Sequence, residues 1–471
     1  MGNSDIKTVH IVGGGLAGCE ASWQCLNAGL RVVMHEMRPV KSTEAHKTNG
    51  LAELVCSNTL KSKLPTSAPG QLKYEMNRYD SLILNSAHSS AVPAGQALGV
   101  DREKFSELVT KTLEAQPNFQ LVREEITELP TEGELISNDE CWIVATGPLS
   151  SPAITESLKK LIDQTASRLF FYDAIAPIID ADSIDMESCF FGNRYDETSD
   201  DYLNIPLSKE AYETFIDDVL TAQKMPLHSF ETTNYFESCL PIEVMAERGR
   251  ETLRFGPLKP VGFTDPATGN RPWAIIQLRK ENEQASMYSL VGFQTKMTWP
   301  EQKRVLSKIP ALKNAEFFRY GSVHRNSYIE SPKTLSPNLS FKANKRIFLA
   351  GQITGVEGYS ESAAIGLLAG RSAAATLSNT PFKIPPANTM IGALAHYICF
   401  GGQGPFQPMN TNLGLLPTIG KTKGQSKQQR RALQCQKAVT AFDEYFNSEI
   451  VNKTTTLLPN PKSVDIVQQL D

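Results

Sequence analysis

Residues 7–36 read KTVHIVGGGLAGCEASWQCLNAGLRVVMHE, and this stretch decides the fold. Lys7 to Val12 is a short apolar run that enters a glycine turn. Leu16 to Ala28 is a helical stretch bearing Ala, Leu and Cys, and Gly29 stops it. Arg31 to His35 is a second strand with Glu36 at its end, which completes a strand, glycine turn, helix, strand, acid unit. Gly13, Gly15 and Gly18 fit G-x-G-x-x-G. The first permits the tight turn, the second lets the backbone approach a pyrophosphate, and the third lets the helix pack on the strand. Gly14, Leu16 and Ala17 complete the turn, and the helix start offers N–H groups and a positive dipole end to phosphates. Glu36 follows Gly18 by 18 residues, where a carboxylate accepts hydrogen bonds from a ribose diol. The motif alone is weak evidence; in this order it predicts a dinucleotide site.

Two later segments say which dinucleotide. Cys141 to Gly147 (CWIVATG) is an apolar strand running into Ala-Thr-Gly, a turn found where the chain leaves a two-part FAD domain. Arg346 to Gly355 (RIFLAGQITG) is another strand ending in glycines, followed by a small-residue helix over 360–377. FAD needs a second site for its ribityl and flavin parts, for which Gly351, Gln352 and Gly355 are the candidates. The expected fold class is α/β: a Rossmann-like two-part FAD-binding domain with a large α+β insertion domain. The boundaries read from the sequence are 1–149 for the first part of the FAD domain and 150–335 for the insertion. The second part with a basic C-terminal region takes 336–450, and 451–471 is a loosely held tail.

Composition limits the alternatives. The 471 residues exceed a single core, hydrophobic residues make up 41 %, and no apolar run approaches the roughly 20 residues of a membrane span. The N-terminus passes straight into a strand pattern, so a cytoplasmic location is expected. Eight cysteines show no C-x-x-C spacing, and His396 with Cys399 lacks a second ligand pair, so neither disulfides nor a metal site is expected. Net charge is −4, but no Asp or Glu lies between Glu361 and Asp443. Arg371, Lys383, Lys421, Lys423, Lys427, Arg430, Arg431 and Lys437 make that interval +8, which leaves −12 for the rest. Much of 362–420 is uncharged core-type sequence. The run at 421–437 is a true basic cluster, and Lys421, Lys423, Lys427, Arg430 and Arg431 are candidate RNA contacts.

A flavin domain with thiols first suggests a disulfide reductase, which needs two cysteines within bonding reach. Cys19 and Cys25, six apart on the predicted helix, read as core. Cys56, in NGLAELVCSNTLKS (49–62), follows the second strand near the crevice where doubly wound folds bind ligands. Cys239 is crowded by Pro241, Glu243, Glu247 and Arg248. Polar neighbours tune a thiol, although the default role of a lone cysteine is structural.

The blocks GGGLAGCEA, HEMRP, TNGLAELVCSNTLKS, VPAGQALGVDRE, CLPIEVMAERGRETLRFGPLKPVG, VGFQT, YGSVHRNSYI, AGQITGVEGYSESAA and FQPMNTNLGLLP resemble TrmFO, the FAD- and folate-dependent tRNA uracil-5-methyltransferase family. The resemblance runs from residue 9 to about 417. Larger relatives of the GidA or MnmG type share the FAD domain. The resemblance implies that 5,10-methylenetetrahydrofolate supplies a one-carbon unit to C5 of a T-loop uridine in tRNA. Reduced FAD carries the methylene and returns electrons, with NAD(P)H as their source. It also implies Arg38, in the HEMRP block, at the cofactor. Uracil C5 is a poor nucleophile until a thiolate adds at C6, and a base must then remove the C5 proton. The family uses two cysteines, matching Cys56 and Cys239; Cys56 is assigned to C6 and Cys239 to the proton, and the reverse assignment meets the same need. His324, Arg325 and Asn326 are the candidates for the pterin edge. Asn77, Tyr79 and Asp80, ICFGGQGP and the C-terminal tail depart from the family pattern and bear on RNA contacts. Ribosomal RNA as the target, an NAD(P)H-dependent flavin oxidoreductase without RNA, and a flavin-binding RNA module are the other readings.

Overall fold

The computed structural model describes residues 7–43, 45–130, 139–162, 168–196, 198–225, 240–402, 406–420 and 426–454, with backbone alone at 168–175, 322–326, 427 and 450–454. The chain opens with β1 (Thr8–Val12), α1 (Leu16–Asn27), β2 (Arg31–His35), β3 (Thr59–Ser62), α2 (Ala68–Arg78), α3 (Leu82–Ser89), β4 (Ala91–Val92), β5 (Ala97–Val100), α4 (Arg102–Glu114), β6 (Phe119–Val122), β7 (Glu140–Val144) and α5 (Pro152–Leu161). It continues through β8 (Arg168–Ile175), β9 (Ile178–Asp180), β10 (Phe190–Gly192), β11 (Tyr202–Leu207), α6 (Lys209–Thr221), α7 (Ile242–Arg248), α8 (Thr252–Phe255), β12 (Ala274–Lys280), β13 (Met287–Leu290), α9 (Trp299–Leu306), β14 (Phe317–Arg319), β15 (Ser322–Ile329) and α10 (Ser331–Thr334). It returns with β16 (Ile347–Leu349), α11 (Tyr359–Leu377), α12 (Met390–Phe400) and α13 (Lys427–Thr454).

The first sheet has the order β16-β7-β1-β2-β6, and all its pairs are parallel. The late strand β16 docks on β7, Ile347 opposite Trp142, so the nucleotide fold is assembled from both ends of the chain. Parallel strands need both faces covered, and β1 and β2 read as near-continuous apolar runs for that reason. One face is covered by α1 and α11, which touch closely. A Cβ on Gly366 would collide with the Ala17 carbonyl, and one on Gly370 would lie 2.6 Å from that of Ala21. On the other face His10, Trp142 and His35 stack, with centroids 4.4 Å apart for His10 and Trp142 and 5.8 Å for His35 and Trp142.

A six-stranded sheet, β10-β11-β12-β13-β9-β14, forms a second unit, antiparallel in its named pairs. Its core joins Ile276 and Leu278 of β12 to Tyr212, Phe215, Ile216 and Val219 of α6. This is a mixed α+β unit inserted into the nucleotide fold.

Three elements differ from the sequence reading. Helix α5 falls after the 149/150 boundary, yet Ile154, Leu158 and Leu161 lie in the core of the nucleotide fold. The chain leaves that fold after α5, because one stripe of apolar residues is enough to bind a helix to the sheet. The boundary at 335/336 shifts likewise, since Ile329 and Leu335 pack in the first core. Helix α13 crosses the 450/451 boundary and ends at Thr454; residues 455–471 lie outside the described residues.

The departure at 77–80 also has a structural reason. Tyr79 is buried between Phe442 and Phe446 of α13, with centroids at 5.6 and 5.0 Å, and the Arg371 guanidinium lies 4.3 Å over its ring. Arg78 pairs with Asp443 at 2.8 Å. This side of α2 is the seat of the last helix.

Candidate functional site

The carboxyl ends of β1, β2 and β7 open onto a cleft, the place where a doubly wound sheet binds ligands. Gly13 has φ +106° and its Cβ position is 2.6 Å from the Ala145 carbonyl, a conformation and clearance only glycine tolerates. A Cβ on Gly18 would strike the Gly13 carbonyl, whereas Gly15 faces open space at the start of α1 and contributes no side-chain cap. The first turn of α1 therefore presents its N–H end to the cleft. Such a cradle fits a pyrophosphate.

Glu36 is 5 % exposed and fully engaged. One oxygen accepts the Gly14 N–H at 2.8 Å, and the other accepts the Arg38 N–H and Nε, both at 2.9 Å. Burial works to raise its carboxyl, but the Arg38 hydrogen bonds and charge overcome this and hold it below the usual carboxylate value. Arg38 is in turn pinned by the Thr48 carbonyl at 3.1 Å and Glu53 at 2.8 Å. Gly14, Leu16 and Ala17 line the same cleft, as do Thr146, Gly147, Gly351, Gln352, Tyr359 and Val55. Gly355, with φ +92°, packs against Phe406 behind the turn.

Val55 brings the Cys56 loop to the rim. Cys56 is half-buried, while Cys19 and Cys25 are fully buried and burial pushes their thiols far up. The main chain of the loop is gripped on every side. The Tyr359 hydroxyl accepts the Cys56 N–H at 2.7 Å and the Ser57 N–H at 3.1 Å. Arg319 donates to the Val55 carbonyl at 2.7 Å and the Cys56 carbonyl at 3.0 Å. Arg102 donates to the Leu54 carbonyl at 2.7 Å and the Cys56 carbonyl at 3.3 Å. Behind them Glu281 receives Arg102 Nε at 2.5 Å, and Arg279 Nε reaches Asn58 Oδ1 at 2.7 Å.

These holders were not found in the sequence. Tyr359 sits next to a glycine turn and Arg102 closes VPAGQALGVDR, but Arg279 and Arg319 come from β12 and β14 with no local spacing to link them to Cys56.

Of the other candidates, Cys239 lies outside the described residues. His324, Arg325 and Asn326 are in β15, paired with Asp173, Tyr172 and Phe171 of β8, and their side chains are outside the described set. Lys421 and Lys423 are outside it too, as is the side chain of Lys427. Arg431 is exposed on α13, and Arg430 is half-buried with Nε lacking a partner. No group of three His, Cys, Asp or Glu residues suited to a metal occurs among the described residues. No described helix is long and apolar enough to cross a membrane.

The fold and cleft define a flavoprotein of the GidA type. The structure of Aquifex aeolicus GidA (form II crystal) superposes with a TM-score of 0.66 at 15 % identity, covering 97 % of this chain and 77 % of that one. The family model "Glucose inhibited division protein A" matches residues 8–381. At the sequence level, the protein named methylenetetrahydrofolate--tRNA-(uracil-5-)-methyltransferase TrmFO from Geobacter sulfurreducens is 52 % identical over 439 residues, 93 % of this chain and 98 % of the relative. The protein of the same name from Aquifex aeolicus is 49 % identical, over 93 % and 96 %. The chain belongs to the TrmFO family within the GidA group.

Proposed function

We propose that this protein methylates C5 of a uridine in tRNA, taking the one-carbon unit from methylenetetrahydrofolate with FAD in the glycine-lined cleft. The observation that carries the proposal is the Cys56 loop, held rigidly at the rim of that cleft by Tyr359, Arg102 and Arg319. FAD, when bound, supplies the electrons that take the transferred carbon to the methyl level. Gly13 to Gly18 cradle its pyrophosphate, Glu36 with Arg38 meets its ribose, and Gly351, Gln352 and Gly355 form the returning turn. Cys56 adds to C6 of the uracil, which gives C5 the electron density to accept carbon, and Cys239 removes the C5 proton so that the adduct collapses. NAD(P)H is the reductant, His324, Arg325 and Asn326 meet the pterin, and the basic run at 421–431 contacts RNA phosphates. A substrate of this kind places the protein in the cytoplasm.

The test is to incubate the purified protein with NADPH, methylenetetrahydrofolate and unmodified tRNA or ribosomal RNA, and to map 5-methyluridine. Product in the tRNA T-loop is expected. Product on ribosomal RNA alone moves the target, and NADPH consumption without product on either RNA favours an oxidoreductase. Cys56→Ala should yield no product while FAD stays bound; retained methylation would remove Cys56 from the mechanism.

A further inference from the structure

We propose that Phe317, Tyr320 and Trp299 form an aromatic column on which an unpaired base of the RNA substrate, adjacent to the uridine that is modified, stacks. The proposal deepens the reading of the protein as a tRNA uridine methyltransferase and rests on it. Chemistry at C5 and C6 needs a uracil taken out of its stack, and the base beside it then lacks a stacking partner. Aromatic side chains are what unstacked RNA bases rest on.

The column is rooted in the inserted unit and ends at solvent. Phe317, at the start of β14, is half-buried against the second core. Tyr320 stacks on it with centroids 4.6 Å apart and planes at 17°, and Trp299, at the start of α9, stacks on Tyr320 at 5.6 Å and 15°. Trp299 is 55 % exposed, and no further ring stacks on it among the described residues. A single exposed aromatic side chain is ordinary on a protein surface; three near-parallel rings with a buried root are a prepared stacking surface. Gln302 fixes the arrangement. This buried side chain donates to the Met297 carbonyl at 2.8 Å and the Gly321 carbonyl at 2.9 Å, and it accepts the Gly321 N–H at 2.7 Å, so the start of α9 and the turn after Tyr320 are held together. Arg319, between Phe317 and Tyr320 in the chain, donates to the Val55 and Cys56 carbonyls at 2.7 and 3.0 Å, which ties the column to the rim of the cleft. None of the three rings lines the cleft itself. That placement suits a polymer whose target base enters the cleft while its neighbour stays outside, and does not suit a small cofactor held within. Lys303, one turn after Trp299 on α9, is exposed, and Glu301 of the same turn is taken by Arg304 at 2.7 Å, so this helix face offers a cation to a phosphate.

The affinity of the FAD-bound protein for unmodified tRNA, read by fluorescence anisotropy at fixed salt, tests this without relying on methylation. Trp299→Leu keeps apolar bulk and removes the aromatic face; it should weaken binding about tenfold, and Trp299→Phe should recover most of the loss. Phe318→Ala removes a ring that is 58 % exposed but outside the column, and it should bind tRNA as the unmodified chain does. Flavin absorbance and melting temperature should match the unmodified chain in all three. If Trp299→Leu disturbs the fold, Tyr320→Leu removes the middle ring and the same loss is expected. Unchanged tRNA affinity in a variant that keeps its FAD and its fold overturns the column, as does an equal loss in Phe318→Ala. A raised KM for methylenetetrahydrofolate with tRNA affinity intact overturns it too and assigns the rings to the folate. Absence of 5-methyluridine from tRNA treated with the unmodified chain overturns the functional reading instead, while the affinity series still reads the column, so the two failures are separately visible.

Discussion

Glu36, at the cleft, has both oxygens engaged, by the Gly14 N–H on one side and Arg38 on the other. It sets the glycine turn, and in the proposed function it accepts a ribose hydroxyl as well. Glu36→Gln turns one acceptor into an NH₂ facing donors, and hydrogen bonds to charged groups are worth about 1.5–3 kcal/mol. FAD affinity should therefore fall at least about tenfold, which the flavin absorbance of the purified protein measures. His10 gives a second residue-scale prediction. Burial first, then the charges of His35 and Arg31, push its imidazole down to about 4. The folded state keeps His10 neutral while the unfolded chain protonates it below about 6.5, so the unfolded state binds more protons between those values and stability falls as pH drops through that window. His10→Phe retains a ring against Trp142 and removes the titration. Its melting temperature should fall less between pH 7 and pH 5 than that of the unmodified chain. The candidate site was legible at this scale only where its residues are neighbours in sequence. Gly13, Gly15, Gly18 and Glu36 are written in one unit, whereas Arg102, Arg279, Arg319 and Tyr359 reach Cys56 through the folded chain and share no period or spacing with it.

Among the elements, the contact between α1 and α11 sets the tightest limit. Gly366 and Gly370 lie on the α11 face that rests directly on the backbone of α1. Gly366→Ala forces the two helices apart at the sheet that shapes the cofactor cleft, and overpacking of this kind costs typically about 1–3 kcal/mol. A melting temperature several degrees lower is expected, while Gly420→Ala, whose Cβ meets no atom within 4 Å, should leave it unchanged. The strand Arg31–His35 was legible residue for residue, because an apolar run between Gly29 and Glu36 has one sensible reading. Helix α5 was assigned to the wrong side of a boundary because domain membership depends on what a helix packs against, and its own sequence does not record that.

Over the whole molecule, the last described helix is a brace. Asp443 joins Arg78 and Tyr74, Glu449 pairs with Arg371, and Phe442 and Phe446 enclose Tyr79. Asp443→Ala should lower the melting temperature by a few degrees, since it leaves Arg78 and the Tyr74 hydroxyl, both partly buried, without that partner. Arg431 stands on the exposed side of the same helix. If the basic run touches RNA phosphates, Arg431→Ala should weaken tRNA binding and reduce the slope of log affinity against log salt by about one, with the melting temperature unchanged. The basic cluster was readable in the sequence, and its attachment to α2 was not, because Tyr79 and Phe446 lie too far apart in the chain for any pattern to join them. The loop at 54–58 is held in the same long-range way, with a larger consequence. Arg102 and the thiol belong to the nucleotide fold, while Arg279, Glu281 and Arg319 arrive from the inserted sheet. The loop is thus fixed at a seam, by side chains from both sides of it. A change that separated the inserted sheet from the loop would take Arg279 off Asn58 and Arg319 off the 55–56 carbonyls, and leave Tyr359 and Arg102 as the remaining described holders.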